Sequence, residues 1–180
     1  MAKQFKTLTE QHIEFIGRQH MFFVGTAGAE GFVNVSPKGM DSLRVIDRKK
    51  VIWLNLTGSG NETAAHVMEN PRMTIMFCSF DREPMILRLY GRATAVHPQD
   101  GAWEQLSALF PPHAGARQIF ELQLELVLTS CGFAVPYYDY TGERPTLATW
   151  AERKGAEGIK AYWQEKNTQS LNGRDTGIRT

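Results

Sequence analysis

The chain has 180 residues, enough for one hydrophobic core and too few for two comfortable ones. Hydrophobic residues make up 42% and charged residues 22%, ordinary globular values, and the formal net charge is +1. No long block of like charge and no basic stripe is present, which argues against nucleic acid as a partner. No apolar run approaches the ~18 residues of a membrane span, so no membrane partner is expected. The opening residues 1–6 lack the apolar segment of a signal peptide, and a cytoplasmic setting is expected. Cys78 and Cys131 are far apart and outside any C-x-x-C pattern, and read as buried free thiols of a reduced protein.

Thr7-Leu8-Thr9-Glu10 fits a capping box, with Thr7 capping and Glu10 reaching back, and opens a short amphipathic helix ending near Gly17. Residues 21–26 read as a strand, 27–31 as a glycine turn and 32–36 as the return strand. Residues 37–41 break that pattern. Strands follow at 43–46 and 51–56. The glycine loop Thr57-Gly58-Ser59-Gly60 leads into a helix over 61–69, stopped by Asn70-Pro71. Residues 73–80 and 85–97 are the next strands, and 98–110 reads as a helix closed by Pro111-Pro112. Leucines alternate with mostly polar residues over 121–128, the mark of a half-buried strand. Residues 136–142 form an aromatic loop, and 148–154 and 158–164 look helical. The polar stretch 167–180 is either a disordered tail or a packed arm. There is no internal repeat. Strands do not alternate with crossover helices, so the order fits a small antiparallel barrel with attached helices, mainly β.

Three segments could carry chemistry. In Thr57-Gly58-Ser59-Gly60-Asn61-Glu62-Thr63, a strand ends in a glycine loop and a helix begins with Asn61 as its natural N-cap. Free helix amides there suit an anion, with Ser59, Asn61 and Thr63 adding donors. The loop is neither a Walker A nor a G-x-G-x-x-G motif, and a plain surface loop is its other reading. Val33-Asn34-Val35-Ser36-Pro37-Lys38-Gly39 delivers Ser36 and Lys38 side by side, for a phosphate or a polarised ring, or as a solvated turn. Arg88 and Arg92 share one strand face, which is either exposed or lines an anion site. The five histidines show no metal-site spacing, so no metal is expected. No G-x-S-x-G elbow is present and no general base stands out, leaving the catalytic residues unassigned.

The motifs Asn34-Val35-Ser36-Pro37-Lys38-Gly39, Gly58-Ser59-Gly60-Asn61-Glu62-Thr63, Glu69-Asn70-Pro71-Arg72 and Leu87-Arg88-Leu89-Tyr90-Gly91-Arg92, in that order and spacing, resemble the pyridoxamine 5′-phosphate oxidase-related FMN-binding family. The resemblance runs over about 22–135. It implies a six-stranded antiparallel FMN-binding split barrel over residues 1–135, with 136–180 as a C-terminal helical extension or arm of the same domain. It also implies a homodimer with FMN at the subunit interface and a small-molecule substrate. Residues Asn34, Val35, Ser36 and Lys38 should run along the flavin, and Trp53, Leu54 and Asn55 should lie beside it. Ser59, Asn61 and Thr63 should hold the phosphate, while Arg88 reaches the partner's flavin. The expected activity is an FMN-dependent oxidoreduction of an unnamed substrate, with Tyr137, Tyr138, Tyr140 and Trp150 covering the site. The alternatives are a non-catalytic flavin or haem carrier or sensor with His20 or His66 on iron, a cofactor-free scaffold, and a deazaflavin reductase. Two departures argue against vitamin B6 as substrate. The phosphate loop has Asn61, Glu62 and Thr63 where true oxidases carry basic residues, and their C-terminal Arg-Leu-Ala-Pro signature is absent.

Overall fold

The computed structural model describes residues 2–179. Eight strands form one antiparallel sheet: β1 (Lys3–Phe5), β2 (Phe22–Thr26), β3 (Asn34–Lys38), β4 (Leu43–Asp47), β5 (Lys50–Leu56), β6 (Arg72–Cys78), β7 (Met85–Val96) and β8 (Ala116–Cys131). The order is β3-β2-β6-β7-β8-β5-β4, with β1 beside β8. The long β8 organises it. One edge pairs with β7 from Ile119 to Cys131, while the other edge takes β5 at residues 116–123 and β1 at 127–129. Strands β3 and β4 are the two ends of the path and do not pair with each other, so the barrel is split along that seam.

Burial explains the closure. Val24, Trp53, Ile75, Leu87, Leu89, Phe120 and Leu122 point inward and pack into one core, which Phe15 and Ile16 of α1 (Glu10–Gly17) plug. A smaller cluster, Ile52, Leu54, Val96, Phe110 and Ile119, lies on the opposite face beside α3 (Trp103–Ser107). Because β5 is covered on both faces, it reads as a continuous apolar run, without alternation. Where β7 and β8 shift register between Tyr90 and Gly91, a Cβ at Gly91 would collide with the Gln123 carbonyl, so the close backbone approach requires glycine.

The structure departs from expectation at several places. The sheet has eight strands where six were expected. The α1 cap is Thr9, with His12 answering the cap amide in place of Glu10, because Leu8 is fully buried and fixes the entry of the chain. The return strand lies two residues later, and Pro37 sits inside it. Strand β3 has only β2 as a neighbour, so the missing amide costs little. The predicted helix at 98–110 shrinks to α3, which has no side-chain cap. The two C-terminal helices are one element, α4 (Thr146–Lys166), broken at Gly155 with φ 64°. The stretch after it is a packed arm: Asn167 and Thr176 are fully buried, and Arg174 pairs with Glu69 at the end of α2 (Glu62–Glu69). Both cysteines are free, but only Cys78 is buried and Cys131 is exposed. Among the described residues, no helix is long and apolar enough to cross a membrane.

Candidate functional site

A cleft of about 310 Å³ opens between β3, the end of β5, the loop 58–60, the start of α2 and the start of β8. Its walls carry Asn34, Ser36 and Lys38 from one face of β3, and Asn55 from β5. The loop and helix add Ser59, Asn61, Glu62 and Thr63, and β8 adds Arg117. A second cleft of about 220 Å³ shares Lys38 and Asn55 with the first and reaches Trp53 and Leu54.

Two cations dominate the first cleft. The Arg117 side chain is buried, donates to the Gly58 carbonyl at 3.4 Å and the Gly60 carbonyl at 3.1 Å, and leaves its Nε without a partner. Burial pulls its pKa down to about 10. Lys38 lies over the Trp53 ring, Nζ to centroid 5.1 Å. Burial, and then the charge of Arg117, lower its pKa to about 8. Among the described residues neither has an acidic partner. A buried cation without a counter-ion is costly, so its natural complement is an anion brought from outside.

The helix start points the same way. Asn61 occupies the N-cap position of α2 but makes no capping bond. Its Nδ2 donates instead to the Asn167 carbonyl at 3.1 Å, and its Oδ1 is buried without a partner. The first amides of α2 are therefore left for another acceptor. Asn34 Nδ2 donates to Thr63 Oγ1 at 3.2 Å, linking β3 to the helix across the cleft.

The outer side of this loop is held by the C-terminal arm. Trp163 Nε1 donates to Thr57 Oγ1 at 2.8 Å, and Asn167 Nδ2 donates to the Gly58 carbonyl at 3.0 Å. The Leu171 amide donates to Glu62 Oε1 at 2.8 Å and so occupies a carboxylate that borders the cleft. The loop conformation that presents Ser59 and the helix amides thus depends on residues more than a hundred positions downstream.

Most of the expected site residues meet here. Asn34, Ser36, Lys38, Asn55, Ser59, Asn61 and Thr63 border the first cleft, and Trp53 and Leu54 the second. Val35 points the other way and is exposed. Arg88 lines neither cleft and donates to Ser130 Oγ at 3.1 Å. Of the residues expected to cover the site, Tyr140 of the aromatic loop and Trp150 of α4 border an adjoining cavity, whereas Tyr138 packs on Phe80. His66 is buried against Thr26 Oγ1 at 3.1 Å, and His20 stacks on Tyr140. No group of three or more metal-ligating side chains occurs among the described residues. Arg117 was not anticipated. Its only sequence signal is a lone basic residue just upstream of the alternating run at 121–128.

A family model described as pyridoxamine 5′-phosphate oxidase matches residues 8–131. The chain belongs to that family. A curated Aspergillus flavus relative, the pyridoxamine 5′-phosphate oxidase family protein ustO, is 34% identical over 94% of this chain and 75% of its own length. Among solved structures, HupZ of Group A Streptococcus has a TM-score of 0.52 at 22% identity, covering 66% of this chain and 91% of that one. A pyridoxamine 5′-phosphate oxidase candidate from Lactobacillus delbrueckii gives a TM-score of 0.56 at 19% identity, over 68% and 94%. These structural likenesses concern the fold. The family match ends at 131, so α4 and the arm lie outside it.

Proposed function

We propose that the cleft holds the phosphate of FMN and that the protein is an FMN-dependent oxidoreductase acting on a small molecule. The observation that carries this reading is the pair of cations, Lys38 and Arg117, facing one cleft without an acidic partner in a chain of this family. The residues fit the group. Arg117 and Lys38 neutralise a dianion, Ser59 and Thr63 offer hydroxyls, and the uncapped start of α2 offers amides. Asn55, Leu54 and Trp53 extend the site along β5, away from the phosphate end.

Bound flavin would supply the hydride or electron chemistry, and the protein would supply binding, orientation and electrostatics. Lys38, shared by both clefts, has its pKa lowered to about 8 by burial and by Arg117, and a bound dianion would hold the amine in its charged form beside the flavin. Trp53, which borders the second cleft, is stacked at 4.8 Å on Phe120 of the barrel core and so is held rigidly at that end. Dimerisation is part of the proposal. Phe32, Val33 and Val35 are all more than 60% exposed at or next to the edge strand β3, an apolar patch that a second copy would cover.

The test is the visible spectrum of the purified protein, followed by FMN titration of wild type, Lys38→Ala and Arg117→Ala. Flavin bands, or saturable quenching of FMN fluorescence that both variants weaken, would support the assignment. A haem Soret band or tighter binding of deazaflavin would replace FMN, and a colourless protein that ignores FMN would overturn it.

A further inference from the structure

A third cavity, of about 620 Å³, opens on the far side of Lys38 from the phosphate end. It is within the range of small-molecule sites. One side is lined by His20 and Met21, another by residues 37–40 at the end of β3, and the third wall is the extension around Tyr140, Arg144, Leu147 and Trp150. All of that extension lies beyond the family match, so the cavity is completed by a segment the family match does not cover.

Its chemistry differs from that of the anion cleft. The His20 and Tyr140 rings stack with centroids 3.6 Å apart and planes within 4°, a fixed aromatic pair at the rim. Trp150 is itself braced by Tyr162 at 5.1 Å. Met40 and Asp41 both have positive φ, at 62° and 51°, a costly arrangement for two non-glycine residues, and it places Met40 on the cavity wall. The charges are uneven. Lys38 stands at the neck, and Arg144 has no hydrogen-bond or ion-pair partner among the described residues. The one carboxylate on the wall, Glu143, accepts from the Tyr140 hydroxyl at 3.1 Å. The cavity is therefore apolar and aromatic with an excess of positive charge.

We propose that this cavity binds a planar aromatic carboxylate, with the ring among His20, Tyr140 and Trp150 and the carboxylate on Arg144. The binding site stands on its own geometry, whereas its role as the site of the second reactant rests on the flavin reading. Lys38 borders both the anion cleft and this cavity, so the two ligands would sit on either side of one ammonium group.

The probe is 2-naphthoate, titrated calorimetrically into protein saturated with inorganic phosphate. The controls are 2-naphthol, which lacks the carboxylate, and cyclohexanecarboxylate, which lacks the aromatic ring. The expected result is at least tenfold tighter binding of 2-naphthoate than of either control. Tyr140→Ala and Arg144→Ala should each weaken it about tenfold and leave FMN affinity unchanged. Equal binding of the three compounds, competition with phosphate, or indifference to both substitutions would overturn the site. In FMN-loaded protein 2-naphthoate should shift the flavin absorbance, and binding without that shift would overturn the reactant role. Loss of FMN binding with naphthoate binding intact would sink only the flavin reading, and the reverse only this one.

Discussion

The titration of Lys38 links the unliganded cleft to ligand affinity. Its pKa of about 8 is set first by burial and then by the charge of Arg117. A bound phosphate dianion would oppose both effects and return the amine towards its ordinary value near 10.5. Above pH 7 the phosphate itself carries about two charges and no longer titrates, so the pH dependence belongs to the protein. Between pH 8 and 10 each pH unit should then cost about sixfold in affinity. From pH 7 to pH 9 the predicted loss for FMN is about tenfold, and binding at pH 8 should take up about half a proton. Calorimetric titration at pH 7, 8 and 9, in buffers of different ionisation enthalpy, measures both quantities. Lys38→Met should bind weakly and lose the pH dependence. The stability of the unliganded protein should move the opposite way. The folded pKa lies below the unfolded one, so the unfolded chain binds more protons between about pH 8 and 10.5, and stability rises with pH across that window. For this half-buried amine the gain from pH 7 to 9.5 should be about 1–2 kcal/mol relative to Lys38→Met, read by urea unfolding. A flat affinity from pH 7 to 9, or the same slope in Lys38→Met, would refute the assignment of this amine to the anion.

Four further substitutions probe the site. Arg117→Met removes a buried cation whose acceptors, Gly58 and Gly60, are exposed enough for water to replace it. It should therefore raise the melting temperature of the unliganded protein while weakening phosphate binding by about 30-fold or more, so a fall in both would contradict the reasoning. Glu62→Gln removes a negative charge from the cleft wall but keeps an acceptor for the Leu171 amide, and should tighten phosphate binding about threefold in an equilibrium titration. Trp163→Phe keeps an aromatic ring but loses the bond to Thr57 and part of the buried indole volume, costing about 2–3 kcal/mol in stability. Its loop amides at 58–62 should exchange hydrogen faster than in the wild type while those of β8 stay unchanged, and unaltered loop protection would argue against the arm's bracing role. If the proposed dimer forms through the exposed edge of β3, Val35→Lys should shift the species seen by light scattering from dimer to monomer, and an unchanged mass would refute that seam.

The fold is legible where local rules agree with burial. The alternation at 121–128 marks a strand with one wet face, and it is the central part of β8. The first residues of β8 carry no such signal because Arg117, Gln118, Ile119 and Phe120 are all buried, so that part of the strand lies covered on both faces and shows no alternation. Thr7-Leu8-Thr9-Glu10 matches the capping box and favours Thr7 over Thr9, but Leu8 belongs to the core and shifts the helix start. The arm is ambiguous for a different reason. Its polar residues are buried because they bond to a loop far away in sequence, and composition cannot distinguish a solvated asparagine from Asn167.

The site is legible in pieces, since β3, the glycine loop and the end of β5 each carry a local signature and meet at one cleft. What cannot be read is how its charge is supplied. The departure at Asn61, Glu62 and Thr63 removes basic residues from the loop, and taken alone it weakens any phosphate reading. In three dimensions the loop carbonyls of Gly58 and Gly60 face the guanidinium of Arg117, which comes from β8, and Glu62 is tied to the Leu171 amide of the arm. Asn61, freed from capping, binds the arm and leaves the helix amides open. Each residue that makes the loop a poor phosphate motif in sequence thus has a bond that either keeps the loop in place or occupies its carboxylate. The positive charge is delivered across the barrel from β3 and β8, so substitutions in β8 or the arm should affect anion affinity as strongly as substitutions in the loop itself.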